Sequence, residues 1–545
     1  MYLRVMRRTN KDGSVVEYLQ LAHNVRRPGS PHPHVQVIHT FGRRDQVDPD
    51  ALRRLAQSLR RLDQGQSQDG LEVVSAKPLG GAHVLAALWE RLGIRDQLKE
   101  LLQEREFDSD MERVLFALVA NRCLDPHSKL GTCEWVAEDV AIPELPQLEV
   151  QQAYRAMDFL LENGEAVQER VFFQVADLLH LEVDLVFFDT TSSYFEIEGE
   201  DEQEGVRRYG YSRDGRPDRA QVAIGMAVTK EGIPVRCWVF PGNTADAKTV
   251  ARVKGDLHGW KLDQVIFVAD RGMSSQENLR LLQENGGRYI IGERMRAGVS
   301  VVEEALSRPG RYRRILDNLE VKEVQVGRGK QAQRYVICRN LEEAERDQER
   351  REQLLQELEQ ALLELDQTAV HKRRACALRI SRRFGRYVRQ LPGGRLVLNR
   401  DIVTREERLD GKYLIRTSDK TLSTEEVALG YRQLLQVERG WRDLKQQLEL
   451  RPMFHRKEDR IRSHVLLCFL GLLLIRVAEN RTQTTWSRMR RELQRVCLVE
   501  LTGSAGSVRQ TSRLTDPQRQ LFEALEVTPP SRIWAASSSR TSAAA

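Results

Sequence analysis

Three carboxylates stand where they could hold metal. Asp189 closes the apolar run LVFF, Asp270 closes QVIFVA, and Glu438 lies within YRQLLQVERGWRDLK. Carboxylates carried by separate elements can converge on a hard divalent ion and leave coordination sites for water and phosphate. Two such ions, about 4 Å apart, bridge a scissile phosphate; one helps to ionise the attacking hydroxyl and the other stabilises the departing oxygen. Both aspartates read as strand ends, where ligands gather in open α/β sheets. The third carboxylate is then expected on a later helix crossing that edge. Tyr431, Glu438 and Lys445 recur every seven residues, drifting only about 20° per step around an α-helix. Arg442, four residues after Glu438, falls on nearly the same face. A carboxylate with a phenol, a guanidinium and an ammonium beside it suits metal and phosphate. Arg271, next to Asp270, is a further candidate phosphate contact.

Each residue also has a plainer reading. A lone strand-end aspartate caps the next turn, and Glu438 alone would pair with Arg442 on a solvated helix. Glu449 and Glu458 are the fallback third carboxylates. Asp246 reads as the start of a helix, Trp441 as a core contact and His464 as a structural hydrogen-bonder. Residues 371–389 hold eight Lys/Arg and no acid, with Phe384 and Tyr387 interleaved, which suits phosphate contacts with occasional base stacking. The charged segment 341–365 reads as a solvated surface helix.

The elements that must position the carboxylates follow from periodicity. Residues 1–45 alternate like strands around a turn at 10–13 and a Pro-rich loop. From 48 to 180 the spacing is helical, in LGGAHVLAALWERLG, DMERVLFALVANRCL and VQQAYRAMDFLLENG. LVFFD is read as a strand ending in Asp189, QVAIGMAV and IPVRCWVF as a hairpin closed at 229–232, 246–258 as a helix, and QVIFVAD as a strand ending in Asp270. A capping box at 274–277 is expected to open the next helix, followed by the strand RYIIGER. Strand, hairpin, helix, strand, helix, strand is the ribonuclease-H-like order, an α/β core of mixed sheet flanked by helices. A second capping box at 423–426 is expected to open one helix running to 451–452. The domains expected are a β segment at 1–47, a helical DNA-binding domain at 48–180, and a catalytic core at 181–299 plus 421–480. A β-rich and helical insertion at 300–420 and a C-terminal helix and weakly ordered tail at 481–545 complete the set.

Bulk composition narrows the class without naming it. The chain has 545 residues, 41% hydrophobic and 30% charged, with 85 Lys/Arg against 79 Asp/Glu, a formal charge of +6. That excess alone does not establish a nucleic-acid partner. Seven scattered cysteines include no CxxC pair, so neither a zinc ribbon nor a disulfide framework is indicated. The N-terminus lacks the apolar run of a signal peptide. The most apolar stretch, 465–475, falls short of the roughly 18 residues that span a bilayer and reads as a buried helix.

Taken together, FFDTTS, VADRGM and YRQLLQVERGWRDLK resemble the three acidic motifs of DDE transposases from bacterial insertion sequences. More narrowly, they are similar to the "insertion sequence four" superfamily, with its Tyr-x2-Arg-x3-Glu-x6-Lys signature and a β-rich insertion before the last glutamate. GYSRDGRPD, FPGNTADAKT, YLIRTSD and LRPMFHRKEDRIRSHVLL extend the likeness over roughly 180–480. The resemblance implies an enzyme that binds the terminal inverted repeats of its element on double-stranded DNA, cleaves there, and joins 3′-hydroxyl ends to target DNA. It implies Asp189, Asp270 and Glu438 as ligands of two Mg²⁺ ions (Mn²⁺ substituting), and Tyr431, Arg442, Lys445 and Arg271 as phosphate contacts. A homodimer in the synaptic complex and a cytoplasmic, nucleoid-associated bacterial setting without membrane follow from the same likeness. Two positions depart from the family: Leu434 occupies the signature arginine, and no tryptophan lies between Asp270 and Glu438. The competing readings are a ribonuclease-H-like nuclease without strand transfer and an inactive, transposase-derived DNA-binding protein.

Overall fold

The alternating N-terminus folds into an antiparallel sheet of β1 (Tyr2–Thr9), β2 (Val15–Val25) and β3 (His34–Arg43). The structure is a computed structural model, describing the chain apart from residues 1, 10–14, 26–33, 49, 51, 55, 57–70, 104–109, 182, 203–204, 263–264, 296–298, 330–331, 367–370, 504–505 and 539–545. The turn and Pro-rich loop expected between these strands lie outside the described residues. Two compact units divide the chain. Met1–Leu178, Gln446–Glu449 and Asp459–Ala545 form the first; Leu179–Lys445 and Leu450–Glu458 form the second.

In the first unit, the three helical periods become Gly80–Arg91, Met111–Leu124 and Val150–Glu162. Every residue of Met111–Leu124 is buried, including Glu112 and Arg113. Arg113 Nη2 donates to Glu112 Oε1 at 2.6 Å, and Trp89 Nε1 donates to the same carboxylate at 2.7 Å. Such partners make burial of the pair tolerable. The apolar stretch 465–475 lies within the helix Glu458–Thr482. By length and composition that helix could cross a bilayer, yet 94% of its apolar window is buried inside the protein.

A strand interrupts the segment read as helical: β4, Glu72–Pro78. Its period-two signal is short, and its pairing partners come from the other end of the sequence, so local propensity could not reveal it.

The second unit carries β5 (Leu185–Tyr194), β6 (Gln221–Val228), β7 (Pro234–Pro241), β8 (Ile266–Ala269) and β9 (Arg288–Glu293). Their order is β7–β6–β5–β8–β9, with β5, β8 and β9 parallel and β6 and β7 antiparallel. The ribonuclease-H-like order expected from the sequence is thus present. All eight residues of β6 are buried, which is why it reads as an apolar run. The hairpin turns at Gly232, whose φ of 76° suits glycine and whose N–H donates to Thr229 O.

Four strands of 300–420 join this sheet, and one two-stranded pair stands apart from it. β10 (Arg313–Leu316), β11 (Leu319–Val326) and β12 (Gln333–Asn340) precede the helix Leu341–Asp366, and β13 (Val388–Gln390) pairs with β14 (Leu396–Leu398). β15 (Lys412–Thr417) pairs with β9 and with β12, extending one sheet to nine strands in the order β10–β11–β12–β15–β9–β8–β5–β6–β7. Leu358, Tyr387 and Val403 form a small core of their own beneath the long helix.

The described residues between 501 and 538, in a region read as a weakly ordered tail, are structured. β16 (Cys497–Gly503) pairs with β4, and β17 (Gly506–Thr511) and β18 (Ile533–Ser538) complete a four-stranded sheet. The Ser- and Ala-rich end masked this, because its partner strand is distant in sequence. Residues 539–545 lie outside the described residues.

Candidate active site

Sheet register brings the aspartates together. β5 and β8 run parallel, with Phe188 opposite Ala269, so Asp189 and Asp270 follow at the next position of each strand. β5 does not end at Asp189, as the sequence suggested; it continues to Tyr194 by pairing with β6. What ends there is the parallel pairing, and the chain turns away after Ala269. Asp270 begins the short turn Arg271–Met273, but its side chain makes no capping hydrogen bond there. The plain reading of Asp270 as a turn cap therefore fails.

The third carboxylate comes from a broken helix. The capping box at Ser423 and Glu426 forms as expected and opens Thr424–Arg432, but a new helix begins at Leu435 and runs to Gln446. At the break, Gln436 N donates to Gln433 O and Val437 N to Leu434 O, so three-residue bonds replace four-residue ones. Tyr431 and Glu438 thus sit on different helices, and the continuous-helix spacing does not describe them. They still converge on Asp270. Tyr431 Oη donates to Asp270 Oδ1 at 3.4 Å, and Glu438 lies close enough for the Asp270 charge to act on it. Gly292 on β9 makes room, since a Cβ there would collide with the Tyr431 hydroxyl. The following helix likewise differs in detail: Ser275, not a capping box at 274–277, caps Gln276–Gln283 by accepting from Asn278 N.

The electrostatics are those of under-compensated anions. Burial pushes the Asp189 carboxyl up to about 6, with Arg213 opposing and Asp270 and Asp246 adding to the rise. Burial, then the Asp270 charge, raises Glu438, while Arg442 opposes. Burial and Asp270 raise the Tyr431 phenol. Asp270, Arg271, Tyr431 and Glu438 line a cavity of about 1090 Å³, whose other wall includes Arg350, Arg351 and Arg386. Among the described residues, no three His, Cys, Asp or Glu side chains stand close enough to form a finished metal cluster. The donors nonetheless fit a hard divalent ion: all are oxygens, and neighbouring negative charge is what such an ion relieves.

Three charged groups at the site were not singled out from sequence in these roles. Asp246 does start the helix Asp246–Gly259, but its Oδ1 also accepts from Thr190 Oγ1 at 2.5 Å and its Oδ2 from Arg213 Nη2 at 2.6 Å. A Cβ on Gly272 would lie 3.3 Å from Asp246 Oδ2. Asp214, beside Arg213, accepts from Lys445 Nζ at 2.7 Å and Arg451 Nη1 at 2.5 Å. The density of charge in GYSRDGRPD was the available signal. Arg271 and Arg442 are exposed.

Other candidates settle elsewhere. Glu449 belongs to the first unit, where its charge acts on Arg122. Glu458 opens the helix Glu458–Thr482. His464 is buried with Nε2 3.9 Å from Cys468 Sγ, and Trp441 is buried. In the basic run, Arg383 pairs with Glu357, Arg386 with Glu406 and Arg389 with Asp401. Phe384 and Tyr387 are not free stacking platforms, because both pack into the small core under the long helix.

The strand order is that of a ribonuclease-H-like α/β core. The transposase DDE domain family matches residues 183–474, more than half of the sequence, and the chain belongs to that family: it is a DDE transposase. The IS1634 family transposase N-terminal domain matches residues 3–69. No curated protein matches the chain. Among solved structures, it is similar to a piggyBac transposase synaptic complex with hairpin DNA at 10% identity and a TM-score of 0.35, covering 78% of this chain and 82% of that one.

Proposed function

We propose that this transposase binds the terminal inverted repeats of its own insertion sequence, cleaves them with divalent metal, and joins the freed 3′-hydroxyls to target DNA. The supporting observation is the register that sets Asp189 beside Asp270, with Glu438 and Tyr431 brought to Asp270 from two helices. These three carboxylates would hold two Mg²⁺ ions, or Mn²⁺ in their place, which supply Lewis-acid stabilisation of attacking and departing oxygens. Half-burial leaves the Asp189 carboxylate poorly hydrated, a cost that a bound cation would relieve. Glu438, exposed on the cavity wall, would reach the metal from the helix side. Tyr431 orients Asp270, and Arg271, Arg442 and Lys445 are the cations set to meet phosphate oxygens. Leu434 is buried, so it supplies no phosphate contact in place of the signature arginine. Two ends handled together call for a homodimer, working in the bacterial cytoplasm at the nucleoid.

The test is incubation of purified protein and Mg²⁺ with a plasmid carrying the gene and its flanking DNA. Excision followed by joining to target DNA is expected. Cutting without joining would leave a nuclease, and end binding without cutting an inactive DNA-binding descendant.

A further inference from the structure

Resting on that reading, we propose that Asp214 is the positioning residue of Lys445, and that with Arg213 it makes residues 211–218 a clasp across the active site. The segment is a loop whose Tyr211 is 86% exposed, yet the Asp214 side chain is only 3% exposed. A loop aspartate is buried only if its charge is answered. Both answering cations, Lys445 and Arg451, sit on Oδ1, while Oδ2 is buried without a hydrogen-bond partner among the described residues.

The loop stands on the strand that bears Asp189. Arg213 N donates to Ser192 Oγ at 3.0 Å, and the Arg213 guanidinium reaches Asp246, which in turn accepts from Thr190. Thr190 and Ser192 are one and three residues beyond Asp189 on β5. One residue further along the loop, Asp214 holds Lys445 on the helix that carries Glu438. Adjacent residues of one loop thus tie the first-aspartate strand to the glutamate helix. The Lys445 side chain is itself only 10% exposed, and burial alone drives a lysine toward losing its proton, an effect Asp214 opposes. Asp214 keeps that ammonium charged and pointed; it acts through Lys445 and touches no reacting atom itself.

The test is single-turnover cleavage and binding of a linear DNA bearing one element end, with wild type, Asp214→Asn, Lys445→Met and the double variant. Asp214→Asn is expected to cut about tenfold slower at saturating protein, with end binding within about threefold of wild type. On the Lys445→Met background, Asp214→Asn should add less than about twofold, because the two act as one unit. Asp214→Glu should recover most of the rate. Wild-type cutting by Asp214→Asn, or losses that simply multiply in the double variant, would overturn the proposal. Should Asp214→Asn fail to fold, Arg451→Gln decides: it leaves the Asp214–Lys445 pair and should cut within about threefold of wild type. A tenfold loss there would make the cluster a structural staple and overturn the assignment. Failure of the wild type to cut would instead refute the transposition reading beneath it.

Discussion

Two clusters of buried charge, one in each unit, have opposite characters. In the first unit Glu112 is fully buried and answered by Trp89, Arg113 and Arg95, the last at 3.3 Å. In the second unit Asp189 is half-buried, surrounded by Asp270 and Asp246 as well as by Arg213, and its carboxyl is pushed up to about 6. Burial by itself therefore does not mark function. Negative charge left under-answered is the stronger pointer to function, because a bound cation would relieve it.

The sharpest way to break this contrast is to neutralise each cluster. Asp270→Asn should lower cleavage by about a thousandfold or more while end binding persists, as expected for loss of a metal carboxylate. Asp189→Asn should do the same and, in metal-free buffer at neutral pH, raise stability by about 1–2 kcal/mol by removing a strained charge. Glu112→Gln should behave in reverse. It strands Arg113 and should destabilise by about 3–5 kcal/mol in a denaturant melt, with the cleavage rate of the protein that remains folded unchanged. If Glu112→Gln cost no stability, or Asp189→Asn cost several kcal/mol, the two clusters would not differ as described.

Smaller effects sharpen the picture. Gly292→Ala should push the Tyr431 hydroxyl off Asp270 and slow cleavage about tenfold, with a stability loss of about 1–3 kcal/mol from overpacking. Lys129, in the first unit, provides a pH test of a buried charge away from the three carboxylates. Burial, then the Arg122 charge, pushes its amine down to about 7. Between pH 7 and the ordinary lysine value the unfolded chain holds more protons, so wild-type stability should climb across that window. Lys129→Met should therefore stabilise most below pH 7, with the gain shrinking as pH rises. Thermal melts of both proteins across pH 6–10 measure it.

How much of this was legible in the sequence depended on range. The adjacency of Asp189 and Asp270 was legible because each follows an apolar run, and the strand order sets those runs side by side. Spacing placed Tyr431 and Glu438 on one helix, whereas the helix breaks between them at 433–434; both nonetheless lie near Asp270. Partnerships that depend on distant folding were not legible. Nothing local tells Asp214 that it will meet Lys445 some 230 residues later, or β4 that its partner is β16. The charge of the basic run 371–389 was legible, but the acids that pair with several of its arginines lie on other helices and could not be read locally.

The most direct test of the central claim compares cleavage of the element-bearing plasmid by wild type and Glu438→Gln in Mg²⁺. Wild type should release the excised fragment, and Glu438→Gln should bind the ends and release none. Excision by Glu438→Gln at the wild-type rate would contradict the three-carboxylate site and move the third ligand away from the helix Leu435–Gln446.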